Sequence, residues 1–199
     1  MLTLHAAEAS PETAVLVDGA YIAAVGPYEE LAAANEDARL RLWPGILTPG
    51  LLNPYGPELL EATYHPDPRE AEEFGTQPIH GERAREILDA YPVRAGASAR
   101  RGVQRLLALG MVAVGGELRA RAAQDAVRRA GLVIGRRPAT MPGPPSLAPR
   151  PLVLLPRLAP GSPARFAVFD VPDRAALVRL GPATCVATVL GGRLVFRRR

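Results

Sequence analysis

Apolar and polar residues alternate along the first part of the chain in the manner of β-strands. Two short apolar runs, 14–17 and 21–25, are separated by Asp18-Gly19. An Asp-Gly pair between two such runs is a strong signal for a β-hairpin. The pattern then predicts a short helix over 28–35 and a further alternating strand over 39–43.

The C-terminal part of the chain shows the same alternation. Residues 164–170 alternate, and two apolar runs, 185–190 and 194–196, flank Gly191-Gly192. A two-glycine turn between such runs predicts a second hairpin. Two β-rich ends on either side of a different middle indicate one small β-domain that is built by both termini.

The middle of the chain has helical periodicity interrupted by short apolar strands. Its order of strand, helix, strand, helix and strand is typical of a parallel sheet with right-handed crossovers. The predicted elements are a helix over 82–90, a helix that Ser98 caps and Gly110 ends, a strand over 111–114, a helix over 118–130 and a strand over 131–135.

A proline-rich segment separates this middle from the C-terminal strands. Residues 138–163 contain nine prolines, which exclude a helix and favour a semi-rigid, extended chain. Its only apolar island is 152–155. We interpret the segment as a connector, although a proline-rich ligand for a partner's aromatic groove has a similar composition.

Composition excludes several classes of site. The chain has 199 residues and a net charge of +4, and all 24 of its basic residues are arginine. A lysine Schiff base, a P-loop lysine and a carbamylated-lysine metal bridge are therefore excluded. Cys185 is the single cysteine, so there is no internal disulfide, and its apolar surroundings predict a buried small side chain. Because the arginines are spread among 20 carboxylates, the net charge is only weak evidence for a nucleic-acid partner, and we do not expect one.

The hydropathy of the chain bears on its location. No apolar run approaches the roughly 20 residues of a membrane-spanning helix. The N-terminus lacks the basic region and apolar stretch of a signal peptide. We therefore expect no membrane partner and a cytoplasmic location.

Residues 46–57 resemble a motif of a known family. The order is an apolar run, Pro49-Gly50, two leucines, Asn53, Tyr55 and Pro57. Metal-dependent amidohydrolases of the imidazolonepropionase and aminofutalosine deaminase type have an apolar run, Pro-Gly, two apolar residues, Asn or Asp, and then His-x-His. The chain resembles these proteins in that register. Its opening residues, 15–27, and its last strands resemble the corresponding parts of the same family.

Tyr55 and Pro57 stand where this family has its two metal-binding histidines. Proline has no ligand atom in its side chain, and a lone phenol is a poor substitute for imidazole at a zinc or iron centre. The resemblance therefore implies the frame of a metal-dependent hydrolase without its metal site. We assign no metal, no cofactor and no catalytic residue on this basis.

The resemblance also implies a fold. In the family, both termini form a composite β-sandwich beside a TIM barrel, and a barrel needs about 250 residues. With 199 residues, the barrel is expected to be truncated after roughly its third strand. The family's remaining metal and catalytic residues would lie in the missing part. We predict a mixed α and β fold with three parts: a composite β-sandwich from 1–52 and 160–199, a helical and partial (β/α) segment from 53–137, and a connector from 138–159.

Three other residues are candidates for a rebuilt site. His65 and His80 flank an acidic segment, and with a carboxylate they could form a two-His-one-carboxylate metal site. Their spacing matches no known ligand pattern, so we expect solvated or locally bonded side chains. Glu117 follows the second barrel-like strand, at the end where barrel enzymes carry their chemistry. A single carboxylate without a partner is weak support for acid-base catalysis.

Three functions remain open from the sequence. The first is a non-catalytic amidohydrolase-like protein with a structural or protein-interaction role. The second is a hydrolase acting on non-peptide carbon-nitrogen bonds with a rebuilt or intermolecular site, and the third is arginine-mediated binding of an anion or nucleic acid. A truncated sheet would expose an apolar face and an unpaired edge, which soluble proteins avoid. We therefore predict a homodimer or a protein partner that covers it.

Overall fold

The computed structural model describes residues 1–141 and 143–198. Pro142, in the predicted connector, and Arg199, at the end of the predicted sandwich, lie outside the described residues. The mixed α and β class is confirmed. The strands are β1 (Leu2–Ala7), β2 (Ala14–Asp18), β3 (Tyr21–Gly26), β4 (Arg39–Trp43), β5 (Ile46–Pro49), β6 (Leu51–Asn53), β7 (Met111–Gly115), β8 (Val133–Gly135), β9 (Val153–Leu154), β10 (Arg165–Phe169), β11 (Cys185–Leu190) and β12 (Arg193–Arg197). The helices are α1 (Tyr28–Ala34), α2 (Gly56–Leu60), α3 (Ala71–Phe74), α4 (Gly81–Ala90), α5 (Ala95–Leu107), α6 (Arg121–Ala130) and α7 (Arg174–Leu180).

The chain divides into two compact units. Unit 1 consists of Met1–Leu52, Leu107–Val112 and Arg150–Arg199. Unit 2 consists of Asn53–Leu106 and Ala113–Pro149. Strands β6 and β7 each begin in unit 1 and end in unit 2.

Unit 1 contains two four-stranded sheets. The first has the order β3-β2-β1-β4, in which β1 and β4 are parallel and the other pairs are antiparallel. The second has the order β12-β11-β10-β5 and is antiparallel throughout. The sheets share one apolar core because alternate residues of each strand point inward. This core includes Val15, Val17, Ile22, Trp43, Phe166, Val168, Ala187 and Val189.

The hairpins of unit 1 depend on glycines with positive φ angles. The first turn comprises Gly19 and Ala20, since Asp18 still pairs with Tyr21, so the turn lies one residue later than predicted. In the second hairpin, Gly191 and Gly192 have φ angles of +54° and +71°. An added Cβ on Gly192 would lie 1.9 Å from the Gly19 carbonyl oxygen. Only glycine fits at this position, because both the backbone angle and the space exclude a side chain.

Unit 1 also contains two elements that the sequence pattern did not predict. Strand β1 lies between β2 and β4 and completes the first sheet. Helix α7 is capped by Asp173, whose side chain accepts a hydrogen bond of 2.7 Å from the Ala176 amide. Strand β9 corresponds to the apolar island of the connector, and it pairs antiparallel with Leu51 and Leu52.

Unit 2 contains a parallel pair of strands, as the strand-helix-strand pattern predicts. Residues Ala113–Gly115 of β7 pair with β8 in parallel register, and α6 connects the two strands. All five residues of β7 are buried. Within the ranges that the structure describes, no helix is long and apolar enough to cross a bilayer.

Two helix boundaries in unit 2 differ from the prediction. Helix α5 begins at Ala95, directly after a 3₁₀ turn over Pro92–Arg94, so Ser98 is inside the helix and the predicted N-cap is wrong. The Ser98 hydroxyl instead accepts a hydrogen bond of 2.9 Å from the His65 amide. Helix α6 begins at Arg121, three residues later than the predicted start at Leu118.

Candidate functional site

Asn53 is the polar residue that ends β6, and its side chain is fully buried. The side-chain oxygen accepts a hydrogen bond of 3.0 Å from the Tyr55 amide. The side-chain nitrogen donates to the carbonyl oxygens of Ser146 and Leu147, at 2.9 and 3.2 Å. All three hydrogen bonds lie within unit 2, and the two from the side-chain nitrogen hold residues 146–147 against the end of β6.

Tyr55 occupies the first of the two ligand positions that the resemblance identified. Its side chain is 3% exposed. Its hydroxyl donates a hydrogen bond to the carbonyl oxygen of Gly143. Asn53 and Tyr55 together therefore fix residues 143–147, which we call the anchored segment, beside the motif.

Pro57 occupies the second ligand position and stabilises the first turn of α2. It stands in the first turn of this helix, where a missing N–H costs nothing. The helix packs tightly against the end of β7, because an added Cβ on Gly56 would lie 2.9 Å from the Gly115 carbonyl oxygen. The side chain of Pro57 thus supplies helix geometry rather than a ligand atom.

Charged residues around the motif are paired with one another or with backbone amides. Glu58 accepts two hydrogen bonds from Arg137 Nη2, at 2.8 and 2.7 Å. The carboxylate of Glu61 accepts from the amides of Arg119 and Ala120, at 2.6 and 2.7 Å. These two amides precede α6, so the carboxylate of Glu61 performs the role of an N-cap from a distant part of the sequence.

Among the described residues, no hydrogen bond joins the sequence-predicted candidates His65, His80 and Glu117 to one another or to Tyr55. Glu117 is exposed in the loop after β7. The Nδ1 atom of His80 lies 3.0 Å from the Thr63 hydroxyl. Because that hydroxyl donates to the Glu58 carbonyl at 2.7 Å, His80 is the donor to Thr63.

His65 is fully buried and makes local hydrogen bonds. Its Nε2 atom lies 2.8 Å from the Leu59 carbonyl oxygen, so this nitrogen carries the proton. Burial lowers the pKa of the imidazole to about 4, against the smaller opposing effect of that hydrogen bond. Arg101 donates from Nε to the His65 carbonyl at 2.7 Å. His65 is therefore a neutral residue fixed between α2 and α5.

The acidic segment between His65 and His80 is also engaged in structure. The Tyr64 hydroxyl donates to Glu70 at 2.5 Å, and Arg101 pairs with Asp67 at 3.1 Å. The hydrogen bond from Tyr64 lowers the pKa of the Glu70 carboxyl, while burial and this contact raise the pKa of the phenol. Asp67 and Glu70 further form a reciprocal capping box at the start of a 3₁₀ turn. Among the described residues, no group of three or more His, Cys, Asp or Glu is placed to hold a metal ion.

A cavity of about 810 Å³ lies in unit 1, beside the edge strand β5. Its lining includes the apolar residues Leu47, Leu154 and Leu158 and the charged residues Glu12 and Arg157. This volume is within the usual range for small-molecule sites. None of the residues that the sequence singled out for chemistry lines it.

Known proteins resemble this chain in its β-rich part. Residues 14–35, which cover β2, β3 and α1, match the imidazolonepropionase-like composite domain of bacteria. This match confirms the resemblance to the composite domain. No protein of curated function matches the sequence.

Several solved structures show a partial likeness. Ochratoxinase from A. niger is 18% identical, with a TM-score of 0.41, over 68% of this chain and 30% of its own. N-isopropylammelide isopropylaminohydrolase from Burkholderia multivorans is 18% identical, with a TM-score of 0.44, over 71% of this chain and 38% of its own. Guanine deaminase from Bradyrhizobium japonicum is 18% identical, with a TM-score of 0.36, over 61% of this chain and 27% of its own. The chain thus spans well under half the length of these proteins.

Beyond the composite-domain part, sequence reasoning missed most of the residues that build the site. Glu58, Glu61 and Arg137 carry its ion pair and its helix cap. Arg137 and Glu58 are 79 positions apart, and Glu61 and Ala120 are 59 apart. No local pattern marks such partners. Gly116 has a φ of +103°, and an added Cβ would lie 2.7 Å from Arg137 Nε, so a glycine is required where Arg137 approaches the end of β7.

Proposed function

We propose that this protein is a non-catalytic relative of the amidohydrolases with a structural or protein-interaction role. The main support for the proposal is that the motif residues Asn53 and Tyr55 form hydrogen bonds within the protein. The side-chain nitrogen of Asn53 and the hydroxyl of Tyr55 donate hydrogen bonds to backbone carbonyl groups of the anchored segment. In the family that the sequence resembles, a metal-binding histidine stands at the position of Tyr55.

The hydrogen bonds around Tyr55 oppose the binding of a metal ion at this position. A metal ion beside Tyr55 would have to displace Gly143 and the two carbonyl groups that Asn53 binds. Each of these hydrogen bonds contributes on the order of 1 kcal/mol, and the buried side-chain nitrogen of Asn53 would be left without an acceptor. Pro57 would additionally have to be replaced by a residue with a ligand atom.

We propose further that the barrel of the family is reduced in this protein to the three strands β6, β7 and β8. Strand β8 stands at the end of its sheet and has a paired neighbour on one side among the described strands. Its central residue, Ile134, is 48% exposed. An apolar side chain on an unpaired strand edge favours association, so a second copy of the chain or another protein covers β8.

A hydrolysis assay tests the absence of catalysis. Purified protein is incubated with zinc, iron or manganese and a panel of purines, triazines and cyclic amides, and released ammonia or amine is measured. The proposal predicts no release above the buffer rate. Release that rises with protein concentration, is lost in Tyr55→Phe and persists in the control Tyr21→Phe would overturn it, since Tyr21 is a 57% exposed tyrosine outside the site.

Light scattering after size exclusion tests the interaction role. Wild-type protein at micromolar concentration is expected to elute as a dimer or with a co-purified protein, and Ile134→Arg is expected to release a folded monomer. Leu180→Arg is the matched control, because Leu180 is 52% exposed at the end of α7 in unit 1. A wild-type monomer across the concentration range would rule out self-association. If both variants keep a co-purified partner, β8 is not the surface that binds it.

A further inference from the structure

Three arginines from the two sheets of unit 1 converge beside the shared core. Arg39 and Arg41 are two positions apart on β4, so they lie on the same face of this strand as Trp43. Trp43 is 5% exposed and belongs to the core. Arg197 comes from β12 of the opposite sheet, and its guanidinium carbon lies 5.8 Å from the centroid of the Trp43 ring.

The positive charge of Arg41 is opposed by those of Arg39 and Arg197, and the described residues pair none of the three with a carboxylate. Arg41 is half-buried, and its pKa is lowered by burial and, to a smaller extent, by the positive charges of Arg39 and Arg197. His5 on the neighbouring strand β1 is affected in turn, because burial and then Arg41 lower its pKa to about 4. Over residues 1–141 and 143–198, no carboxylate lies within 4.0 Å of any of these three arginines. A half-buried cation that faces two others destabilises the fold unless an anion joins them.

The chemistry of guanidinium groups narrows the class of anion. Each group is planar and offers paired N–H donors that match two oxygens of a phosphate or carboxylate. Three cations on two facing sheets suit a compact anion with several oxygens and more than one negative charge. We propose that Arg39, Arg41 and Arg197 bind the phosphoryl group of a small molecule, with Arg41 at the base of the site.

The surroundings favour a small anion over a nucleic-acid strand. Leu40 and Leu42, which alternate with the arginines on β4, are 48% and 56% exposed, and they point to the opposite face. A nucleic-acid groove needs a longer basic track and exposed aromatic side chains for base stacking. Trp43 is buried in the core and offers no such platform. This inference does not depend on the proposed function, since no residue of the motif takes part.

Thermal unfolding and calorimetry with inorganic phosphate and pyrophosphate test the site. Sodium chloride keeps the ionic strength constant, because weak surface effects would otherwise be mistaken for binding. Both probes are expected to raise the melting temperature of the wild-type protein in a saturable manner. Arg41→Gln is expected to weaken binding by at least about tenfold, consistent with the loss of one charge-assisted contact.

The anion-free protein supplies a second readout. Since Arg41 is repelled by its neighbours, Arg41→Gln without phosphate is expected to melt at the wild-type temperature or above it. Arg197→Gln is expected to weaken binding in the same way, and Arg129→Gln, on the exposed face of α6, is the control that leaves binding unchanged. Equal stabilisation of wild type and Arg41→Gln by phosphate, or no stabilisation of either, would refute the site. Binding to a single-stranded oligonucleotide alone, with a steep salt dependence, would refute the assignment to a small anion.

Discussion

The substitution Asn53→Asp separates the role of this residue as an anchor from its place in a family motif. The family pattern accepts either Asn or Asp at this position, so the motif alone predicts a neutral change. In this structure, the aspartate keeps the oxygen that accepts from the Tyr55 amide. Its second oxygen would face the carbonyl groups of Ser146 and Leu147, to which the asparagine donates.

The expected cost follows from the burial of Asn53, which is 0% exposed. Two lost hydrogen bonds cost about 2 kcal/mol together, and an unpaired carboxylate in this position raises the total to roughly 3–5 kcal/mol at neutral pH. Burial beside two carbonyl groups would raise the pKa of the new carboxyl above its unfolded value of about 3.9. The folded variant would then bind the proton more tightly than the unfolded chain, so part of the loss should be recovered as the pH falls.

Urea unfolding followed by circular dichroism measures this cost, and hydrogen exchange of residues 143–147 shows where it acts. The variant is compared with the wild type at each pH, because the buried histidines make both proteins less stable in acid. Asn35→Asp is the control, since Asn35 also donates to a backbone carbonyl, that of Leu31 at 2.9 Å, but is only partly buried. A stability of Asn53→Asp within about 0.5 kcal/mol of the wild type, with unchanged exchange, would refute the anchoring role.

Three further outcomes follow from the structure. Because burial lowers the pKa values of His5 and His65 from 6.5 to about 4, the unfolded chain takes up protons between these values that the folded chain does not. The free energy of unfolding should therefore fall as the pH drops through this window, by about 2 kcal/mol per histidine near pH 5. The fall should be less steep in His65→Gln. A free energy of unfolding in urea that does not change with pH would contradict this. Burial raises the pKa of the Cys185 thiol to about 11, so a thiol reagent should modify it only in denaturant, and rapid modification of the native protein would show that the site is open. Gly45 has a φ of +71°, and an added Cβ would lie 2.0 Å from the Phe169 carbonyl oxygen. Gly45→Ala should therefore lower the free energy of unfolding by more than about 3 kcal/mol. Gly143→Ala is the control, because Gly143 has a similar φ angle in open space, and it should lower the free energy of unfolding by only about 1 kcal/mol.

Local chemistry explains which elements could be predicted from the sequence. The hairpins around Gly19 and Gly191-Gly192 have the glycines that a two-residue turn requires between alternating strands. The helix after Gly26-Pro27 and the parallel pair β7 and β8 follow from periodicity in the same way. Cys185 was expected to be buried, and it is 0% exposed.

Long-range partners explain the elements that could not be predicted. Ser98 has the side chain of an N-cap, but the helix begins earlier and its hydroxyl accepts from the His65 amide. Helix α6 starts after Ala120 because Glu61, a residue of a different segment, accepts the two preceding amides. Strand β1 alternates between apolar and polar residues over Leu2–Ala6, so it could have been found from the sequence, but its place between β2 and β4 depends on long-range pairing. The cap of α7 at Asp173 is local, and that helix could have been found from the sequence.

In the candidate site, too, local features could be predicted from the sequence and long-range contacts could not. The sequence identified Tyr55 and Pro57 as residues that cannot serve as the ligands of the family motif. It did not show that the anchored segment reaches them, because the hydrogen bond from Tyr55 spans 88 positions and those from Asn53 span 93 and 94. A proline-rich segment with no periodicity gives no indication of which residues it contacts.

The metal content of the purified protein tests the central claim most directly. The protein is produced in cells supplied with zinc, iron and manganese, dialysed without chelator, and analysed by mass spectrometry of the elements. If Asn53 and Tyr55 hold the anchored segment in the place of a metal ion, the protein should contain far less than one metal ion per chain. One tightly bound metal ion per chain, lost in Tyr55→Phe but kept in Tyr21→Phe, would contradict the account.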